Sequence, residues 1–65
     1  MMLSRQALDL MPEHDRAREL RIERLQLRFR AARSVRLRFY LLNMLDVELR
    51  QRSDAAKRII REERA

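Results

Sequence analysis

Acid–base or nucleophilic chemistry in this chain would rest on very few side chains. His14 is the single histidine, cysteine is absent, and the serines are Ser4, Ser34 and Ser53. Covalent catalysis needs a nucleophile, a base within hydrogen-bond reach and a group that orients the base. His14 falls just after Pro12, in the first turn of a predicted helix, and each serine precedes a helical run whose backbone N–H groups it is placed to cap. No nucleophile, base and orienting group stand at suitable spacing, so the chain is expected not to be an enzyme. A metal site needs three or four converging ligands, and the acidic residues read as helix-face charges, so no metal is expected. Glycine is also absent. Phosphate-cradling loops need backbone conformations that glycine takes most easily, so no nucleotide or other cofactor is expected.

Arginine is the residue type with chemistry to offer. There are 15 Arg against one Lys, an imbalance that suits a GC-rich bacterial or phage genome. From Arg16 to Arg38 nine Arg stand against Glu19 and Glu23, a net charge of +7, whereas Met1 to Asp15 nets −2 and Phe39 to Ala65 nets +1. Arg28, Arg30, Arg33, Arg36 and Arg38 are the candidate contact residues for a partner, because a guanidinium makes paired hydrogen bonds to carboxylate and phosphate alike. On a helix the nine arginines point around much of the circumference. A nucleic-acid-binding helix usually gathers its basic groups on one face, so another protein is the first expectation for a partner and DNA or RNA the alternative. A solvated Arg-rich surface without a partner is the plainest reading of the same residues.

The elements that must position these residues are helices. The chain is 46% hydrophobic and 40% charged, with one proline; that much apolar content argues against disorder, and Arg, Leu, Ala and Glu are strong helix formers. Ser4 is placed to cap a short N-terminal helix. Pro12 marks the start of the first long helix, with Glu13 and Asp15 where the helix dipole favours negative charge. Ile22, Leu25, Phe29 and Ala32 repeat with 3-4-3 spacing along one stripe, and Leu20, Leu27 and Ala31 form another on nearly the opposite side. Ser34 is the candidate cap of a second helix. Along it Val35, Leu42, Leu45, Leu49, Ala56 and Ile60 share one face, and Leu37, Tyr40, Met44 and Val47 another. Acid-before-base pairs at i,i+4, Asp46 with Arg50, Glu48 with Arg52 and Asp54 with Arg58, favour a helix continuing through Ser53, although Ser53 and Asp54 alternatively cap a third helix.

Two further considerations shape the expectation. Leu25, Leu27, Phe29 and Ala31, then Val35, Leu37, Phe39 and Leu41, also alternate with polar residues, the period of a strand. The link Ala32-Arg33-Ser34 has none of the Gly, Asn or Asp that a tight hairpin turn takes, so helix is preferred. A continuous helix from Ser34 to Ala65 would measure about 48 Å, against roughly 28 Å for a compact globule of this length. Cover for Ala55 to Ile60 must then come from Leu3, Leu8, Leu10 and Met11 or from another chain.

The expected fold is therefore all-α: one domain, residues 1–65, of two long antiparallel helices in a helical hairpin with a short N-terminal helix, paired with a second copy as a homodimeric bundle. Cores of this size rarely supply more than about 3–5 kcal/mol without disulfides, metal or association. Leu25, Phe29, Leu42, Leu45, Leu49 and Ile60 are the positions expected to be buried in the core or the dimer. No apolar run reaches the roughly 18 residues of a membrane span, and Met1 to Pro12 lacks the layout of a secretory signal, so a cytoplasmic regulator is expected.

Overall fold

The structure is a computed structural model and describes residues 3–64. Four helices follow one another: α1 (Arg5–Asp9), α2 (Glu13–Ala31), α3 (Val35–Arg50) and α4 (Asp54–Arg64). No strand occurs among the described residues, so the strand-like alternation between Leu25 and Leu41 does not form a β-hairpin.

Serines begin three of the helices. Ser4 Oγ accepts from the Ala7 amide at 3.2 Å, Ser34 Oγ from Leu37 at 3.3 Å, and Ser53 Oγ from Ala56 at 3.0 Å. Each bond satisfies one of the backbone donors that a helix start leaves without a partner. α2 begins differently. Pro12 has extended geometry (φ −54°, ψ 154°) and stands just outside the helix, its carbonyl accepting from the Arg16 amide at 2.9 Å. The start expected at Pro12 thus moves one residue on, with Glu13 and Asp15 in the first turn.

Helix ends lack glycine, and arginine takes over part of its work. Arg16 donates to the carbonyls of Leu8 at 3.0 Å and Met11 at 3.3 Å, Arg38 to Ala32 at 2.9 Å, and Arg18 to Gln51 at 2.8 Å. Each of the three interhelical links is therefore clamped by a guanidinium bonded to a carbonyl at or just past a helix end, where intrahelical donors run out. No residue with positive φ is needed, and none occurs among the described residues.

α2 and α3 run in opposite directions, since Arg18 in the first half of α2 meets Glu48 near the end of α3, and Arg38 at the start of α3 lies over Phe29 at the end of α2. Ile22, Leu25, Ala32, Leu41 and Leu45 are buried between them, with Phe29 packed alongside. A second cluster joins Met11, Ala56 and Ile60, with Leu3, Leu8 and Ile59 at its edge.

The continuous second helix does not form. It stops at Arg50, and after Ser53 the chain restarts as α4, which lies against the N-terminal segment. Ala56 and Ile60 are consequently covered within the chain, while Leu10, one of the residues expected to provide cover, is 73% exposed. The break also separates the helical phase of α4 from that of α3. Leu42 and Leu49, aligned with Ile60 only if one helix carried through, are 50% and 38% exposed, and Leu41 at 0% occupies the core position facing α2. Of the three i,i+4 pairs, Asp46–Arg50 is present at 3.1 Å. Glu48 and Arg52 instead reach across to α2. No helix among the described residues is long and apolar enough to cross a membrane.

Candidate functional site

Two acidic residues read from the sequence as helix-face charges are in fact buried. Glu19 accepts from Arg52 Nε at 2.9 Å and Nη2 at 2.7 Å, a two-pronged pair that ties α2 to the α3–α4 link. Asp15, 2% exposed, accepts from Ser53 Oγ at 2.9 Å and has His14 Nε2 at 3.5 Å and Arg18 Nη1 at 3.8 Å. Glu48 lies between Arg18 Nε at 3.5 Å and Arg21 Nε at 3.3 Å. Together these groups form a charge-balanced joint where the start of α2 meets the start of α4.

The joint assembles a serine, a histidine and an aspartate that sequence spacing alone does not bring together. Their order is wrong for hydrolytic chemistry. Asp15 stands between Ser53 and His14, so no imidazole touches the hydroxyl, whereas nucleophilic activation requires the base against the nucleophile. Ser53 Oγ is engaged twice, accepting from Ala56 and donating to Asp15. The arrangement orders a helix start. Among the described residues no group of three or more His, Cys, Asp or Glu is placed to hold a metal ion. The cleft beside Glu19 and Arg52 measures about 140 Å³, below the ~300–1,000 Å³ of small-molecule sites, while two shallower hollows of about 490 Å³ along Lys57, Ile60 and Arg61 and about 400 Å³ along Leu8, Arg16 and Leu20 reach that range.

The opposite end has a different electrostatic character. From Arg24 to Leu45 there are six Arg and no carboxylate, so this stretch carries the whole formal +6 and the remainder nets zero. Arg28, Arg30, Arg33 and Arg36 are exposed and belong to none of the ion pairs among the described residues. Arg38 is set apart from them. Its Nε holds the Ala32 carbonyl and its guanidinium lies 5.8 Å from the centroid of the Phe29 ring, within cation–π range. Of the five candidate contact residues, Arg38 thus has a structural task.

Apolar surface adjoins this basic end. α2 covers α3 only along the stripe of Leu41 and Leu45, and at 100° per residue two further stripes flank it. One carries Val35, Phe39, Leu42 and Leu49, the other Leu37, Tyr40, Met44 and Val47, and all eight are exposed. Leu25, Leu45 and Ile60 are buried, and Phe29 is half-buried. The structure therefore divides the expected burial set between a core and an open face, a division that equal hydrophobicity on three sides of α3 conceals in the sequence. Arg28, Arg30, Arg33 and Arg36 are exposed and form no site with the buried residues of that set. No family model matches the chain, and neither a curated protein nor a solved structure shows significant similarity to it.

Proposed function

We propose that this chain is a small non-enzymatic regulatory protein of the cytoplasm that works as a helical homodimer, its α2–α3 hairpin at the centre, and modulates another protein by binding it. Adaptor, anti-activator and inhibitor, including one acting on a bacterial transcription regulator, are the roles of this kind. The observation that carries the reading is the exposed apolar surface of α3 together with the carboxylate-free stretch of six arginines from Arg24 to Leu45. Aromatic residues and arginine are enriched in protein interfaces, and contacts to phosphate alone would leave the flank of Leu37, Tyr40, Met44 and Val47 uncovered.

Immobilised protein exposed to an extract of its native host tests the reading. A polypeptide retained after nuclease treatment, and lost when Arg28→Glu, Arg30→Glu and Arg33→Glu are combined without change in circular dichroism, is the expected result. Capture insensitive to the charge reversal would contradict it. The alternative, a DNA- or RNA-binding regulator, draws on the concentration of the whole net charge in residues 24–45. It requires capture that disappears with nuclease, and affinity falling with salt at a log–log slope of about −4.5 for five phosphate contacts.

A further inference from the structure

The geometry points to one face and one orientation for self-association: two copies of α3 packed antiparallel along Val35, Phe39, Leu42 and Leu49, with Leu42 at the twofold axis. This inference rests on the homodimer reading and specifies its contact.

The spacing is the first support. Val35, Phe39, Leu42, Asp46 and Leu49 follow one another at intervals of 4, 3, 4 and 3, the repeat with which one helix packs along another. The adjacent stripe, Leu41 and Leu45, is already occupied by α2. The stripe is also centred on Leu42, with Val35 and Leu49 each seven residues away. Turning a second copy end for end places Leu42 against Leu42 and Val35 against Leu49, so one patch serves both chains and the assembly closes at two.

Surface area supplies the second support. The chain exposes 5384 Å², whereas a monomeric globule of 8.0 kDa exposes about 4,450 Å². The excess of about 900 Å², on the scale of the roughly 800 Å² that each partner contributes to a standard interface, belongs to the whole 36 × 21 × 19 Å chain, and the exposed face of α3 is one part of it.

Charge selects the orientation. The exposed half from Val35 to Leu42 offers Arg36, and the half from Asn43 to Leu49 offers Asp46, since Arg38 holds the Ala32 carbonyl and Glu48 faces Arg18 and Arg21 of α2. A parallel pair would set like charge beside like, and an antiparallel pair sets each half against its opposite. Asp46 matters most, because it lies within the stripe and its side chain, paired with Arg50 of the same helix at 3.1 Å, is still 56% exposed. In the antiparallel pair it comes within a turn of Arg36 of the second copy, and a polar residue at such a position fixes register at some cost in stability.

The absence of cysteine permits a clean test with single-cysteine variants of the full chain, treated with an added oxidant that takes the two thiol electrons. Leu42→Cys should link to itself in high yield. Val35→Cys should not, since the two positions lie about 21 Å apart in the antiparallel pair and a disulfide needs Cα atoms within about 7 Å. An equal mixture of Val35→Cys and Leu49→Cys should give the mixed product, which keeps the test decisive should Leu42→Cys fold poorly. Efficient self-linking of Val35→Cys would establish a parallel pair, and linking of Met44→Cys in place of Leu42→Cys would establish the opposite flank. Either result overturns this inference and leaves the homodimer standing. A mass of 8.0 kDa by light scattering of the untreated protein would overturn both.

Discussion

Leu41 and Leu42 are adjacent in sequence and differ by 100° around α3, and their alanine variants should behave differently. Leu41 is fully buried against Ile22, Leu25, Ala32 and Leu45. Removing its branched end leaves a cavity in a helix–helix core, at a cost of about 2–5 kcal/mol. Since a core of this size supplies about 3–5 kcal/mol, Leu41→Ala should lose its cooperative unfolding transition or retain only a trace of it, at any protein concentration. Leu42 is half exposed in the single chain. Its truncation makes no enclosed cavity and removes about half of a leucine burial, about 1 kcal/mol. In a dimer it also removes the contact at the axis, so the effect should grow on dilution. Urea denaturation followed by circular dichroism at a high and a low protein concentration separates the two. A Leu41→Ala midpoint within the equivalent of about 1 kcal/mol of wild type, or equal damage from both variants at both concentrations, would refute the assignment of faces.

The joint at the other end gives further predictions. Glu19→Gln leaves the Arg52 guanidinium without its two-pronged partner in a part-buried site, and breaking such a pair costs about 3 kcal/mol; urea denaturation should show the midpoint sharply lowered, with only about 0–2 kcal/mol of stability left. Ser53→Ala loses the α4 cap and the donor to buried Asp15, at about 1 kcal/mol for the cap and about 1–3 kcal/mol for the unpaired carboxylate. Ser53→Asp restores a capping oxygen but sets a second carboxylate against Asp15, so thermal melting should show it no more stable than Ser53→Ala; full recovery would show that only the cap matters. Arg30→Gln with Arg33→Gln touches no internal contact and should shift stability by no more than about 0.5 kcal/mol, while weakening partner capture in the pull-down.

Much of the fold is legible in the sequence because its signals are local. Ser4, Ser34 and Ser53 stand at the helix starts they cap, and the Ile22–Leu25–Phe29 spacing marks the face of α2 that meets α3. What escapes sequence reading is decided by contacts between distant residues. The i,i+4 pair of Glu48 and Arg52 suggests a helix running on, yet both side chains find better partners on α2, and the chain breaks beside them at Ser53. Periodicity equally fails to identify which of three apolar stripes on α3 faces α2, since Leu41, Leu42 and Leu37 are alike in hydrophobicity. The burial of Asp15 and Glu19 has no local signature either. The serine, arginine and histidine side chains around them come from both near and distant positions. The basic end is readable from charge counting alone, but the structure shows which arginines remain available: Arg16, Arg18 and Arg38 clamp helix links.

Mass in solution tests the central claim, that the exposed face of α3 is covered by a second copy of the chain. Sedimentation equilibrium across a hundredfold range of concentration should give twice the 8.0 kDa chain mass at the upper end, with Leu42→Asp reverting to a helical monomer. A wild-type mass of 8.0 kDa throughout, with helix content intact, would contradict it.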